Sequence, residues 1–64
     1  MKFRIKEIRE AQKLSQAELA RLSGIPQPQI SMIESNKVPA PQIDTLYKLA
    51  ESMHCTVDGL IVKE

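Results

Sequence analysis

Residues 14–37 read LSQAELARLSGIPQPQISMIESNK. Within this stretch, Ser15-Gln16-Ala17-Glu18 has the spacing of a capping box. The serine hydroxyl can accept from the Glu18 backbone N–H while the Glu18 carboxylate reaches back to the serine N–H. A helix is predicted over about 16–23, with Leu19, Ala20 and Leu22 on its buried side. Gly24 then supplies the left-handed conformation that ends a helix without a Cβ penalty. Ile25-Pro26-Gln27-Pro28 follows, and its two prolines would break a helix interior. In a first turn they do not, because the first four N–H groups of a helix have no intrahelical acceptor. A second helix is therefore predicted over about 27–35, burying Ile30 and Ile33, with Pro26 standing where Ser or Thr would normally cap. The stretch reads as two short amphipathic helices joined by a tight glycine turn.

Working outward, Phe3, Ile5, Ile8 and Ala11 recur at roughly helical spacing with charges between them, which predicts a helix over about 3–13. The run from Ser35 to Pro41 is a loop by its polar and proline content. Ile43, Leu46, Leu49, Ala50 and Met53 share one face of a helix over about 42–53, with Tyr47 at the edge of the core. Cys55, just beyond its end, reads as a small buried hydrophobe. Thr56 and Asp58 suit the start of a last short helix over about 57–61. The expected fold is all-α, a compact bundle of five short helices forming one domain over residues 1–64.

Composition narrows the function. The chain has 64 residues, nine Lys and Arg against eight Asp and Glu, one Tyr, one Phe and no Trp. A core of Ile, Leu, Val, Met and Ala suits helices better than a sheet, and a chain this short has no room for a buried catalytic cleft. A single cysteine excludes an internal disulfide, and His54 has no metal-ligand cluster around it. No apolar run approaches the roughly 20 residues that span a bilayer, and the basic N-terminus lacks the apolar core of a signal peptide. The expectation is a soluble cytoplasmic protein with no cofactor and no small-molecule ligand. There is no nucleophile–base pair, paired-carboxylate cleft or phosphate-binding glycine loop, so an enzyme is not expected. Net charge is +1, with Lys2, Arg4, Lys6, Arg9 and Lys13 making the first segment basic, offset by Glu7 and Glu10. That pattern serves equally a solvated helix face and an anionic partner.

On helix 27–35, a step of about 100° per residue puts Pro28, Ser31, Met32 and Ser35 opposite Ile30 and Ile33. Gln27 lies nearer the flank but in the first turn, where it can project off the helix end. Glu34 falls about 70° from the buried centre, facing the first helix.

Leu14-Ser15-Gln16-x-Glu18-Leu19-Ala20, Gly24-Ile25, Ile30-Ser31-x-Ile33-Glu34-x-x-Lys37, Pro41 and Leu46-x-x-Leu49-Ala50 together closely resemble the lambdoid repressor and Cro family of helix-turn-helix proteins, the XRE family. The resemblance covers about residues 4 to 61. It implies five helices, the third entering the major groove of DNA while the second lies across the phosphate backbone, and two-fold dimers on near-palindromic operators. It puts a helix-ending glycine where His54 stands, which implies a left-handed cap there, and it places base contacts at Gln27, Pro28 and Met32, and often Ser31. Gln27 carries an amide matched to adenine N6 and N7, while Pro28 and Met32 offer apolar contact, for example to a thymine methyl. Phosphate contacts are implied for Asn36 and Lys37, and suit Ser15 and Gln16 at the second helix's N-terminus. An arginine of the first helix, here Arg9, is implied to pair with Glu34 and to meet phosphate as well. The expected role is a sequence-specific transcriptional regulator, bacterial or phage, working on the nucleoid. A reader face without Arg or Lys leaves open a protein-interaction module on the same fold: an antitoxin, anti-repressor or adaptor. The apolar end Leu60-Ile61-Val62 can pack into the core or pair across a two-fold axis.

Overall fold

A computed structural model describes residues 2–38 and 41–62. Four α-helices follow one another: α1 (Ile5–Ala11), α2 (Gln16–Ser23), α3 (Gln27–Glu34) and α4 (Ile43–Ser52). A single 3₁₀ turn, Asp58–Leu60, closes the described chain. The predicted fifth helix over 57–61 is thus one turn, in which the Thr56 hydroxyl accepts from the Gly59 N–H at 3.0 Å. Part of the expected loop from Ser35 to Pro41, residues 39 and 40, lies outside the described residues.

The first helix is shorter than its periodicity suggests because Phe3 is used elsewhere. It forms an isolated antiparallel bridge with Ile61. The Arg4 N–H donates to the Leu60 carbonyl at 2.7 Å, and the Val62 N–H to the Lys2 carbonyl at 3.0 Å. Backbone groups already paired across the molecule cannot open a helix there, so α1 begins at Ile5. The bridge also resolves where the apolar end goes: Leu60 is buried in the core, Ile61 half-buried and Val62 exposed.

Every α-helix ends on a left-handed residue: Lys13 (φ 60°), Gly24 (φ 76°), Asn36 (φ 58°) and His54 (φ 56°). Three of these ends are Schellman motifs, in which two N–H groups beyond the helix satisfy its last carbonyls. Leu14 N–H reaches Arg9 O at 3.0 Å, Lys37 N–H reaches Met32 O at 2.9 Å, and Cys55 N–H reaches Ala50 O at 2.9 Å. Each abrupt stop lets the next helix turn back across the core.

That core is Ile5, Leu19, Ile25, Ile30, Ile33, Leu46, Leu49, Ala50, Met53 and Leu60. α2 packs on both α3 and α4, so Leu19 and Ile30 are fully enclosed. Two expected core residues lie outside it: Leu22 is 50% exposed and Ile43 69%. The covered side of α2 runs through Gln16, Leu19, Ala20 and Ser23, which leaves Leu22 about 110° from its centre. Past Gly24 the chain turns and buries Ile25 instead. On α4 the covered stripe leans toward Thr45, a buried residue, and Ile43 is on the opposite flank. Tyr47, expected at the core edge, stands mostly in solvent. Cys55 is half-buried against the core, and that burial raises its thiol pKa above the ordinary value.

Candidate nucleic-acid interface

The capping box forms as the spacing requires. Ser15 Oγ accepts from the Glu18 N–H at 3.0 Å, and Glu18 Oε1 accepts from the Ser15 N–H at 3.0 Å. The Glu18 carboxyl is held below its usual pKa, first by the hydrogen bond from the Ser15 N–H and second by the nearby Ser15 hydroxyl. The cap fixes where α2 begins and so where Gln16 points.

At the other end of α2, the Ile25 N–H donates to Ser23 Oγ at 3.1 Å across the turn. Pro26 occupies the cap position of α3 and contributes no side-chain bond. In its place Pro26 O accepts from both the Gln29 and Ile30 N–H groups, at 3.0 and 3.2 Å. Pro28, in the first turn, removes one donor that would otherwise be orphaned.

α3 presents two different sides. Inward, Ile30 and Ile33 are fully enclosed. Outward, Gln27, Pro28, Gln29, Ser31, Met32 and Ser35 are all exposed. No residue of α3 carries a positive charge.

Between them lies Glu34, its side chain only 4% exposed. Arg9 Nε donates to Glu34 Oε2 at 2.8 Å and Arg9 Nη2 to Oε1 at 3.1 Å, a bidentate pair. Arg9 Nη1 donates to the Leu14 carbonyl at 2.7 Å. Gln16 Nε2 completes the set, donating to Glu34 Oε1 at 2.9 Å. The hydrogen bond to Glu34 raises the Arg9 pKa further above its already high value. One carboxylate therefore ties α1, α2 and α3 together. Its position in the last turn of α3, where the helix dipole disfavours a negative charge, makes the arginine necessary. No buried side-chain nitrogen or oxygen among the described residues lacks a partner.

Three of the anticipated contact residues thus have structural partners. Arg9, 8% exposed, faces the interior with all three nitrogens engaged. Gln16 is half-buried and shares its amide with Glu34, and Ser15 is a cap. Asn36 and Lys37 are exposed just beyond α3, held there by the Schellman turn. Periodicity had no way to find the Gln16–Glu34 bond, because a glutamine at a helix start can aim outward or inward. It also gave no sign of Gln12, whose amide donates to the Met53 carbonyl at 2.7 Å and pins α1 to the end of α4. Lys6 was discernible only as part of a basic segment. It lines a cleft of about 240 Å³ with Gln16, Ser31, Glu34 and Ser35, on the border of the exposed side of α3.

Known proteins are similar to this chain in sequence. The chain is 36% identical over 56 residues to the candidate antitoxin HigA2 of Mycobacterium tuberculosis, covering 88% of this chain and 55% of that protein. It is 37% identical over 59 residues to the HTH-type transcriptional repressor RghR of Bacillus subtilis, covering 92% of this chain and 44% of that one. A third relative, the uncharacterized HTH-type transcriptional regulator RP766 of Rickettsia prowazekii, is 32% identical over 63 residues, covering 94% and 68%. The chain spans about half the length of the first two. A helix-turn-helix family model matches residues 5–60, from the start of α1 to the closing 3₁₀ turn. With its capped α2, Gly24 turn and outward-facing α3, this chain belongs to the XRE-type helix-turn-helix family.

Proposed function

We propose that this protein is a sequence-specific DNA-binding transcriptional regulator that places α3 in the major groove. The observation that carries the reading is the division of α3 itself. Its inner side and Glu34 are fixed by the core and the Arg9–Glu34–Gln16 cluster, while its outer side offers Gln27, Pro28, Ser31 and Met32 to a partner. A rigid helix with a free outer face is what base reading needs. Gln27 reads adenine through its amide, Ser31 bonds to base edges, and Pro28 and Met32 pack on thymine methyls. Ser15, Gln16, Asn36 and Lys37 position the domain on phosphates. Arg9 acts behind them, holding Gln16 and Glu34 in place. The relatives named as a transcriptional repressor and a regulator support this reading. The mechanism is binding alone, with a homodimer on a near-palindromic operator, in the cytoplasm and without cofactor.

Selection from a random duplex pool at several salt concentrations tests it. The expected result is an enriched, two-fold symmetric sequence whose affinity falls steeply with salt, in proportion to the phosphates contacted. Enrichment that is insensitive to salt would overturn the reading. One observation favours a second: α3 presents an uncharged, partly apolar face in a chain similar to a candidate antitoxin. In that case the pool yields no enriched duplex, and α3 docks on a protein.

A further inference from the structure

The cleft between the first three helices shows a contact that the α3 face does not. Its walls are Lys6 from α1, Gln16 from α2, and Ser31, Glu34 and Ser35 from α3. The carboxylate inside it is already satisfied, since Glu34 accepts from Arg9 twice and from Gln16 once. Glu34 and Arg9 cancel each other's charge, and both are enclosed. The charge left uncommitted in its lining is that of Lys6, an exposed residue with no ion-pair or hydrogen-bond partner among the described residues. The other exposed cations near the helices do not share this setting: Arg4 is engaged by Glu7 and Lys48 by Asp44, while Arg21 of α2, uncommitted like Lys6, does not line this cleft. Ser31 and Ser35 belong to the exposed side of α3, so the cleft opens beside the helix that enters the groove. A helix in a major groove has a phosphate strand along each flank. An uncommitted ammonium bordering that flank is matched to a phosphate diester oxygen.

We propose that Lys6 is a phosphate-contacting residue of the interface, fixing the register of α1 on the DNA strand that borders α3. The proposal rests on the DNA-binding reading above. Its test is the slope of log K against log salt on the duplex selected by the wild-type protein, compared with Lys6→Gln, Lys6→Arg and Lys48→Gln. Removing one phosphate contact lowers the slope by about 0.9. Lys6→Gln is expected to lose that much and to bind several-fold more weakly on selected and mismatched duplexes alike, because a phosphate contact carries no sequence information. Lys6→Arg is expected to restore the slope. Lys48→Gln, which removes the same charge from a lysine engaged by Asp44, is expected to leave it unchanged. An unchanged slope in Lys6→Gln overturns the proposal, and so does an equal loss in Lys48→Gln, which would make the effect one of net charge. A wild-type protein that enriches no duplex overturns the proposal together with the DNA reading. Steep salt dependence that Lys6→Gln leaves intact overturns the role of Lys6 alone.

Discussion

The two sides of α3 differ in kind. On the inner side each polar group has a partner: Glu34 accepts three hydrogen bonds from two residues, and Ile30 and Ile33 have no exposed surface. On the outer side, Gln27, Pro28, Ser31 and Met32 are exposed, and none of their side chains makes a hydrogen bond to the rest of the described residues. Under the proposed function, stability and recognition fall on opposite sides of one eight-residue helix. A change inside should move the fold, and a change outside should move only what is bound. The separation is sharp because the boundary between the sides is an ion pair, which tolerates neither partner alone.

The largest expected effect therefore comes from breaking that pair. Arg9→Ala leaves Glu34 enclosed without its counter-charge, which costs about 3–5 kcal/mol for a buried pair. For a domain this small that is most of the net stability, so thermal unfolding should show little folded protein at room temperature. Arg9→Lys should recover only part of the loss, since an ammonium cannot reproduce the bidentate fork. Replacing both partners, with Arg9→Met and Glu34→Leu, should recover more, because no charge is then stranded. If Arg9→Ala melts like the wild type, the inner side is not what fixes α3.

The outer side supplies the opposite test. Gln27→Ala and Met32→Ala should leave the melting temperature within the small range of surface substitutions, about 0.5 kcal/mol in either direction. Gln27→Ala should nevertheless relax base preference at one position of the operator half-site, by about 1–3 kcal/mol, or roughly five- to 150-fold in discrimination. Repeating the duplex selection with the variant reads this directly. A variant that keeps the wild-type sequence preference would show that Gln27 is not a reader.

How much of this was legible beforehand divides along similar lines. The capping box, Gly24 and the enclosed pair Ile30 and Ile33 follow from local chemistry, because each depends on residues within one turn. The left-handed His54 was readable only through the family resemblance, which puts a helix-ending glycine at its position. Leu22 and Ile43 were misplaced because a helical stripe has two flanks, and the sequence does not say which of them the neighbouring helices cover. Phe3 was drawn into the first helix because its true partner, Ile61, lies at the far end of the described chain. Lys13 and Asn36 gave no hint of left-handed backbone, since the signal for it is glycine. At the site, the residues that share a face were legible, but their partners were not. Gln16 looked like a phosphate donor and turns out to serve Glu34 as well.

Those left-handed ends offer a gain in stability independent of both sides of α3. A non-glycine residue at positive φ costs about 1–2 kcal/mol, and glycine gives part of that back in unfolded-chain entropy. His54→Gly at the end of α4 should therefore stabilise by about 1 kcal/mol, raising the melting temperature by roughly 4–8 °C for a domain of this size. DNA affinity should not change, because His54 is remote in sequence from every proposed contact. Asn36→Gly should gain less, since asparagine adopts this conformation more easily than most residues. It should also weaken binding slightly if Asn36 meets a phosphate. A His54→Gly variant no more stable than the wild type would mean that another contact compensates the strain.

The smallest effect concerns the start of α2, on which the placement of Gln16 depends. Glu18 has its pKa lowered in the folded protein by the Ser15 N–H and then by the Ser15 hydroxyl. A carboxyl with a lowered folded pKa binds its proton more readily when unfolded, so its contribution to stability is complete above the unfolded value and is lost as pH falls through the folded one. The capping box should accordingly weaken from the ordinary carboxylate range downward, while remaining indifferent to changes around neutrality. Glu18→Gln keeps an acceptor for the Ser15 N–H but has nothing to titrate. Melting the two proteins across that acid range should show the wild type losing its advantage over Glu18→Gln as pH drops. Because Glu18 is fully exposed to solvent, added salt should shrink the difference. Parallel acid profiles for the two proteins would mean that the reciprocal bonds of the cap are too weak in solution to bias the start of α2. In that event the orientation of Gln16 rests on Glu34 alone, and the ion pair would govern the outer face as well as the inner one.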